Sequence, residues 1–367
     1  MVKNTLKGCS FFLAVLLLLL SSAFMGFSSP FLPVSAKAPM GNAALSSANA
    51  NRYQDLRLYP GGTPFGIKFL TAGVMIVGFH DSQTCHANPA KQAGLQENDI
   101  IIAIGGKELG GCAELSALVE ASGGKPLALR YHRNGQEHTT TLTPVFSKEE
   151  GKYVSGIYVR DNGAGIGTVT FVVPETGAFG GLGHGICDGE TGELIPMQRG
   201  SVVGVTISGV VKGLAGAPGE VKGYFSSGKT GTLLGNTHCG VYGIFAKLPD
   251  KLPCEPLPVG LRSTVKEGKA TIYCTLDGTT PRQYNVEISN IQRDSLSNKC
   301  FTVKVTDAEL IGKTGGIIQG MSGSPIIQNG KLVGAVTHVL INDPTTGYGI
   351  FIENMLNAAQ MPMAKAS

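Results

Sequence analysis

The chain has 367 residues, of which 42% are hydrophobic and 15% are charged, and its formal net charge is +4. This length suffices for two or three domains, and the composition favours a packed core over a disordered chain. The basic residues are scattered without a cationic tail or stripe, so nucleic acid is not an expected partner. The 52 glycines separate short apolar runs, a pattern typical of many strands joined by tight turns.

The N-terminus carries the pattern of a segment that directs export. Lys3 and Lys7 precede an unbroken apolar run over Phe11–Leu20. This predicts a signal peptide or an uncleaved signal-anchor helix within residues 1–36. Both alternatives take the rest of the chain across a membrane. Residues 37–62 are rich in Ala, Ser and Asn and predict a linker.

The cysteines and histidines do not form a metal-binding pattern. None of the eight cysteines belongs to a CxxC pair, and no HExxH motif occurs, so no metal or other cofactor is expected. Seven cysteines lie outside the leader, and this odd number leaves at least one unpaired if the others pair within the chain. Cys85 and Cys112 are candidates for a bridge within the first domain.

Residues 63–146 predict a compact α/β domain. The expected elements are a strand at Val74–Phe79, a helical turn at Ala90–Gly94, a strand at Asn98–Ile104, a helix at Ala113–Ala121, and a hairpin around Asn134-Gly135. This order resembles a PDZ domain, as does the stretch AGLQENDIIIAIGG that begins at Ala93. The alternative is a small α/β domain with a structural role alone.

The PDZ resemblance implies a peptide-binding loop. PDZ domains hold the terminal carboxylate of a peptide on loop amides, and the peptide pairs as an added strand. The residues at the corresponding place are Gly66, Ile67, Lys68 and Phe69. Lys68 stands where PDZ domains usually carry an apolar residue.

Residues 150–360 predict a second domain that is mainly β. Short apolar segments such as Thr168–Val173, Ser201–Ile207 and Ala270–Tyr273 alternate with glycine turns. Strands at this density are typical of barrels or of a sandwich. One short helix is expected near the C-terminus, over Ile352–Gln360.

The most informative motif in this domain is Gly320-Met321-Ser322-Gly323-Ser324-Pro325. It resembles the G-x-S-G-[GS]-P motif of chymotrypsin-like serine proteases. The resemblance implies that Ser322 is the nucleophile and that the backbone amides of Gly320 and Ser322 form the oxyanion hole. Asn329-Gly330 predicts the turn of a hairpin that holds this loop. The alternative is a glycine-serine turn without chemistry.

A serine hydroxyl needs a base to take its proton. His184, in Gly183-His184-Gly185-Ile186-Cys187 at the end of a predicted strand, is the best candidate. His238 is the rival. His338 follows the serine too closely to fit the order of residues in chymotrypsin-like enzymes.

The third residue of such a site orients the histidine and is normally a carboxylate. Asp307 follows a predicted strand and precedes Ser322 by 15 residues. Asp188 and Asp294 are the alternatives. Asp307 is alternatively a turn residue or a cap at a strand end.

Taken together, these features resemble the stage IV sporulation protein B family of serine peptidases, peptidase family S55. The resemblance is carried by Phe65–Lys68, Ser155–Ile157, Gly163–Thr170, Gly183-His184 and Gly320–Pro325. It implies a mainly β protein with a PDZ-like domain followed by a chymotrypsin-like double β-barrel. It also implies that His184, Asp307 and Ser322 are the catalytic residues.

The family resemblance also implies a biological role. Members are exported across the forespore inner membrane into the space between the two membranes around the forespore. There they cleave a regulator of a membrane-embedded metalloprotease, which then activates the late mother-cell sigma factor, and their PDZ domain takes part in self-recognition and target recognition. Two other functions remain open, a general envelope quality-control protease and a catalytically dead PDZ adaptor.

Overall fold

The computed structural model describes residues 53–80, 88–188 and 192–359. The predicted signal or anchor helix, most of the predicted linker and Cys85 lie outside the described residues. No helix in the described ranges is both long enough and apolar enough to cross a membrane.

Strands dominate the described residues, and four short helices accompany them. In chain order the strands are β1 Arg57–Pro60, β2 Pro64–Phe79, β3 Ile100–Ile104, β4 Lys107–Glu108, β5 Leu127–Arg133, β6 Gln136–Leu142, β7 Val145–Ser147, β8 Lys152–Val154, β9 Ile157–Val172, β10 Ala178–Gly181, β11 Met197–Val211, β12 Glu220–Thr237, β13 Gly240–Phe245, β14 Leu257–Pro258, β15 Gly268–Cys274, β16 Arg282–Ser289, β17 Phe301–Val305, β18 Pro325–Gln328, β19 Lys331–Leu340 and β20 Asp343–Phe351. The helices are α1 Pro89–Gln92, α2 Cys112–Ala121, α3 Ala308–Thr314 and α4 Ile352–Ala359.

The C-terminal half of the chain forms a closed six-stranded antiparallel barrel in the order β15-β16-β17-β20-β19-β18. Alternate residues of its strands, such as Ile272, Val286 and Val303, are fully buried inside it, as the two-residue period of a strand requires. The predicted hairpin at Asn329-Gly330 joins β18 to β19, and both residues have a positive φ. Asparagine and glycine tolerate that backbone conformation best, which explains the tight turn.

A second six-stranded ring lies earlier in the chain. Strand β2 pairs with β9 and β11, β9 pairs with β10, β10 with β13, β13 with β12, and β12 with β11. All of these pairings are antiparallel. Phe65, Phe179 and Val202 are buried in the core of this ring. The prediction of a double β-barrel is therefore confirmed.

The PDZ-like part packs its own core beside the first barrel. Strands β3, β5 and β6 form its sheet, and α2 covers that sheet with Leu115 and Val119. The predicted hairpin at Asn134-Gly135 joins β5 to β6. Asn88 begins α1, since its side chain accepts hydrogen bonds from the N–H groups of Ala90 and Lys91. The predicted order of elements in this region is confirmed.

Strand β2 belongs to both parts of the protein. Its first half pairs with β9 and β11 in the first barrel, whereas Val74 and Met75 pair with β3 of the PDZ-like sheet. This sharing crosses the predicted domain boundary at residues 146–150, because β2 lies before that boundary and closes a barrel whose other strands follow it.

The position of β2 corrects the predicted peptide-binding loop. Gly66, Ile67, Lys68 and Phe69 lie in the middle of the strand and pair with neighbours on both sides, Gly66 with Ile166 and Val203. Neither edge is free for an added peptide strand. Gly66 is required for packing, since a Cβ there would lie 2.5 Å from the ring of Phe225. The expectation that these four residues bind a terminal carboxylate is wrong.

Candidate active site

His184 lies just beyond the end of β10, where the chain turns sharply. Leu182 and Gly183 both have a positive φ. Gly183 approaches the second barrel so closely that a Cβ there would lie 2.9 Å from the Thr337 Cγ2 atom. The turn therefore presents His184 at the junction of the two barrels, and it requires glycine at position 183.

The loop after His184 is held by Asn236 of β12. The Asn236 side chain donates to the carbonyls of Ile186 and Ile195, at 2.8 and 3.0 Å, and its Oδ1 atom accepts from the Ile186 N–H at 2.8 Å. These three bonds fix the backbone two residues after His184. Sequence reasoning missed Asn236, because its pairing with the His184 loop is non-local and no motif marks it.

The Ser322 loop is held from the opposite barrel by two buried threonines of β9. The Thr168 hydroxyl donates to the Gly320 carbonyl at 2.7 Å, and the Thr168 N–H donates to the Ser322 carbonyl at 3.1 Å. The Thr170 hydroxyl donates to the Gly323 carbonyl at 2.8 Å. The first barrel thus sets the backbone of the predicted nucleophile loop.

The Ser322 side chain is partly exposed to a cavity, whereas that of Ser324 is buried. The Ser322 hydroxyl donates to the Thr337 carbonyl at 2.7 Å. Ser324 is fully buried, and its hydroxyl donates to the Met321 carbonyl. Within the described ranges, neither the Gly320 nor the Ser322 N–H takes part in a hydrogen bond. Both amides predicted to form an oxyanion hole are therefore uncommitted.

His184 and Ser322 line one cavity of about 520 Å³ between the barrels. Its walls come from the first barrel, for example Ile67 and Leu182, and from the second, for example Ile318. No Asp, Glu, Lys or Arg is among its lining residues. The cavity can hold an uncharged segment of polypeptide, and it is mainly apolar around the two polar groups.

The ring of His184 has a defined tautomer. Its Nδ1 atom lies 2.8 Å from the Gly185 carbonyl oxygen, which can only accept, so Nδ1 carries the proton and Nε2 keeps its lone pair. Burial lowers the pKa of His184 below its usual value of 6.5, and the bond to Gly185 opposes that shift. At neutral pH the imidazole is therefore an uncharged base.

His338 is a further member of this site that sequence reasoning set aside. Its ring lies 4.9 Å from that of His184, centroid to centroid, at an interplanar angle of 37°. Its Nδ1 atom is buried and has no hydrogen-bond partner in the described ranges. Burial, with a smaller contribution from His184, lowers the pKa of His338 to about 4. His338 lies on β19, which follows the turn of the Ser322 hairpin. This position could have pointed to the site only if β19 had been recognised as a strand of the barrel.

Asp307 is not part of this cavity. Its carboxylate accepts from the N–H groups of Glu309 and Leu310, at 3.1 Å each, and from Asn285. It therefore caps the N-terminus of α3, which is the structural alternative considered above. The structure corrects its assignment as the carboxylate that orients His184.

The other candidates also lie apart from the two site residues. His238 is exposed in the turn between β12 and β13, and Asp294 is exposed in a loop after β16. The Asp188 N–H donates to the Glu193 carbonyl across the loop that follows His184. Among the described residues, the groups that shift the pKa of His184 include no carboxylate.

A free strand edge lies in the PDZ-like part. Residues 157–160 at the start of β9 pair with β2 on one side, and within the described ranges no strand pairs with their other side. A groove beside this segment is lined by Leu115 and Val119 of α2 together with Tyr158. The structure thus offers an edge next to a helix, at a different place from the predicted loop.

The two barrels and the cavity between them define a serine endopeptidase of chymotrypsin-like type. The chain belongs to the SpoIVB peptidase S55 family, whose profile matches residues 151–356, more than half of its length. A PDZ domain profile matches residues 87–133.

Known proteins share parts of the chain. The zinc metalloprotease RasP of Geobacillus kaustophilus is 30% identical over 89 residues, which are 24% of this chain and 21% of RasP. The chain spans about a fifth of the length of the curated relatives that it matches. The active form of the Rv3671c protease from M. tuberculosis is similar with a TM-score of 0.31 and 16% identity, over 54% of this chain and 74% of that one. The HtrA-type protease AlgW with tripeptide is similar with a TM-score of 0.32 and 15% identity, over 54% of this chain and 55% of that one.

Proposed function

We propose that the chain is an exported signalling serine endopeptidase in which Ser322 is the nucleophile and His184 the general base. Its substrate is the extracytoplasmic part of a regulator of a membrane-embedded metalloprotease, cleaved in the space between the two forespore membranes. Membership of the SpoIVB peptidase S55 family supports this role. The observation that carries the chemistry is that His184 and Ser322 line one uncharged cavity at the junction of the barrels.

In the proposed reaction the Ser322 side chain rotates from the Thr337 carbonyl toward His184. The Nε2 atom takes the hydroxyl proton as Ser322 attacks the scissile carbonyl, and the amides of Gly320 and Ser322 stabilise the oxyanion. His184 then donates that proton to the leaving amine. Water, activated by the same histidine, hydrolyses the acyl-enzyme.

This mechanism uses no carboxylate behind the histidine. The Gly185 carbonyl holds Nδ1–H, which is the tautomer that an aspartate would otherwise select. His338 supports the ring of His184 from the side. Because the pKa of His338 is about 4, it stays neutral near pH 7 and does not repel the imidazolium that forms during catalysis.

For target recognition we propose the edge of β9 rather than the loop predicted from sequence. A peptide from the target, or from a second copy of the chain during self-cleavage, would pair with residues 157–160 and pack on α2. The free edge and the adjacent groove support this proposal.

The function is tested by incubating the purified full chain with the extracytoplasmic segment of a candidate regulator and identifying the products by mass spectrometry. Ser322→Ala and His184→Ala should each abolish cleavage, by on the order of a millionfold in turnover. The double variant should be no slower than either, because the pair acts as a unit. Ser324→Ala is not a suitable control, because Ser324 is buried in the loop.

Other outcomes discriminate the alternatives. Ser322-dependent cleavage of unfolded proteins at many sites, with no preference for the regulator, would indicate a quality-control protease. Binding of the regulator without any cleavage, and without labelling of Ser322 by a fluorophosphonate probe, would indicate a dead adaptor.

A further inference from the structure

The hairpin formed by β11 and β12 leaves the first barrel and reaches the second. Residues 205–211 and 220–225 pair with each other beyond the part of the hairpin that closes the barrel against β2 and β13. At the end of the hairpin, the Gly216 N–H donates at 2.8 Å to the carbonyl of Ile341, in the turn between β19 and β20. The hairpin is therefore attached to the barrel that carries Ser322.

Two hydrogen bonds from this hairpin hold the residue that precedes the proposed oxyanion donor Gly320. The Gln319 N–H donates to the Gly219 carbonyl, and the Val221 N–H donates to the Gln319 carbonyl, each at 2.8 Å. Both backbone polar groups of Gln319 are thus bound to the hairpin, which fixes the backbone at this residue.

One of these bonds sets the direction of the Gly320 amide. The Gln319 carbonyl and the Gly320 N–H belong to the same trans peptide group, so they point in opposite directions. Since Val221 holds the carbonyl, the N–H points away from the hairpin, and Gly320 lines the active-site cavity. The φ of Gly320 is +96°, and a Cβ there would lie 3.0 Å from the Val221 Cβ atom. Val221 therefore also packs against this residue, which must be glycine.

We infer that the β11–β12 hairpin positions the oxyanion hole, with Gly219 and Val221 as positioning residues. The inference rests on the proposed function, to which the oxyanion role of the Gly320 amide belongs. Groups that stabilise an oxyanion act best when they are fixed before the reaction. The hairpin holds the Gln319 carbonyl and Thr168 holds the Gly320 carbonyl. Together they fix the two peptide groups on either side of the Gly320 Cα atom.

Two glycines of the hairpin provide a matched pair of substitutions. A Cβ at Gly219 would lie 2.3 Å from the Val211 carbonyl oxygen and 2.8 Å from the Ile318 Cγ2 atom. Nothing lies within 4 Å of a Cβ at Gly209. Neither glycine has a φ in the left-handed region, so an alanine is strained only by its contacts. Gly219→Ala must therefore displace the backbone that holds Gln319, whereas Gly209→Ala leaves it in place.

The first test measures kcat and KM of the full chain on one peptide whose cleavage depends on Ser322. Gly219→Ala should lower kcat at least about tenfold with KM nearly unchanged, because a displaced oxyanion donor costs part of the 10²–10³ lost on its removal. Val221→Pro, which removes the N–H donor directly, should lower kcat to a similar extent. Gly209→Ala should stay within about threefold of the parent. A parent-like kcat in both Gly219→Ala and Val221→Pro would overturn the inference.

A second test separates positioning of the oxyanion hole from general damage to the fold. Ser322 adds to the carbonyl carbon of a peptide aldehyde, and the oxygen of the tetrahedral adduct enters the oxyanion hole. The matching peptide alcohol forms no such adduct. Gly219→Ala should weaken binding of the aldehyde at least about tenfold and leave binding of the alcohol unchanged. Equal losses for the two compounds, or no loss for either, would overturn the inference.

Failure of the proposed function gives a different result from failure of this inference. If the parent cleaves no peptide through Ser322 and binds the aldehyde no more tightly than the alcohol, the nucleophile is wrong and the inference falls with it. If the parent cleaves and prefers the aldehyde, and Gly219→Ala does both equally well, the inference alone falls.

Discussion

The two threonines that connect β9 to the nucleophile loop provide a matched pair of substitutions. Thr168→Val and Thr170→Val each remove one hydroxyl from a buried position without changing side-chain shape. Each leaves one backbone carbonyl of the loop, at Gly320 or at Gly323, without its donor. Each should therefore lower the free energy of unfolding by about 1–3 kcal/mol and the melting temperature by a few degrees.

The two variants should differ in catalysis. The Gly320 carbonyl bound by Thr168 belongs to the residue whose N–H is proposed to hold the oxyanion, whereas Gly323 lies past the serine. Loss of one oxyanion donor costs about 10²–10³ in kcat. In Thr168→Val the Gly320 N–H is displaced and not removed, so kcat should fall by part of that factor, at least about tenfold. Thr168→Val should lower kcat with KM nearly unchanged, and Thr170→Val should have a kcat within about threefold of the parent.

The assay measures kcat and KM on one Ser322-dependent peptide substrate, with melting curves recorded on the same preparations. Similar losses of stability with a large difference in kcat would support the role of Thr168. If Thr168→Val keeps the parent kcat, or if both variants lose kcat equally, the oxyanion assignment to Gly320 is refuted.

Two further predictions concern groups near and far from the cavity. Asp307→Asn should keep both activity and stability, because Asn also caps helices. Asp307→Ala should lower the free energy of unfolding by about 1 kcal/mol and leave activity intact. A large loss of kcat in Asp307→Asn at an unchanged melting temperature would return Asp307 to the catalytic site. Burial lowers the pKa of His184 below 6.5, and the base must be unprotonated, so kcat/KM should be maximal at pH 7 and fall only as the pH drops through that lowered pKa. An acidic limb centred at or above pH 6.5 in a kcat/KM profile from pH 4.5 to 8 would contradict this.

Local signals predicted much of the fold. The pairs Asn134-Gly135 and Asn329-Gly330 specify tight turns by their tolerance of positive φ, and both hairpins formed as expected. A similar local signal marks α3. Asp307 is a capping residue, and Gly315, in the left-handed conformation, ends the helix seven residues after its start. That pattern explains why an aspartate stands at position 307 by its role as a helix cap, with no need for a catalytic role.

Non-local pairing accounts for what the sequence could not reveal. Nothing in the residues of β2 indicates that its first half closes a barrel with strands more than 90 residues further along the chain. The contacts of Asn236 and His338 with the His184 region arise in the same way, from strands that meet only in the folded barrels. The motif around Ser322 could be read because it is contiguous.

The shared strand β2 also limits how this protein can be divided or recombined. A shortened chain that starts at residue 150 would lack β2, and the first barrel would open along β9 and β11. Two unpaired edges would then be exposed, and such edges promote aggregation. An N-terminal truncation that preserves the protease must also keep β1, because Tyr53 and Leu58 are fully buried in the core and β1 pairs with β9, so it must begin before Tyr53. Exchange of the segment that carries β3 to β6 and α2 between relatives would succeed only if β2 is left in place and the junctions fall on either side of residues 88–142.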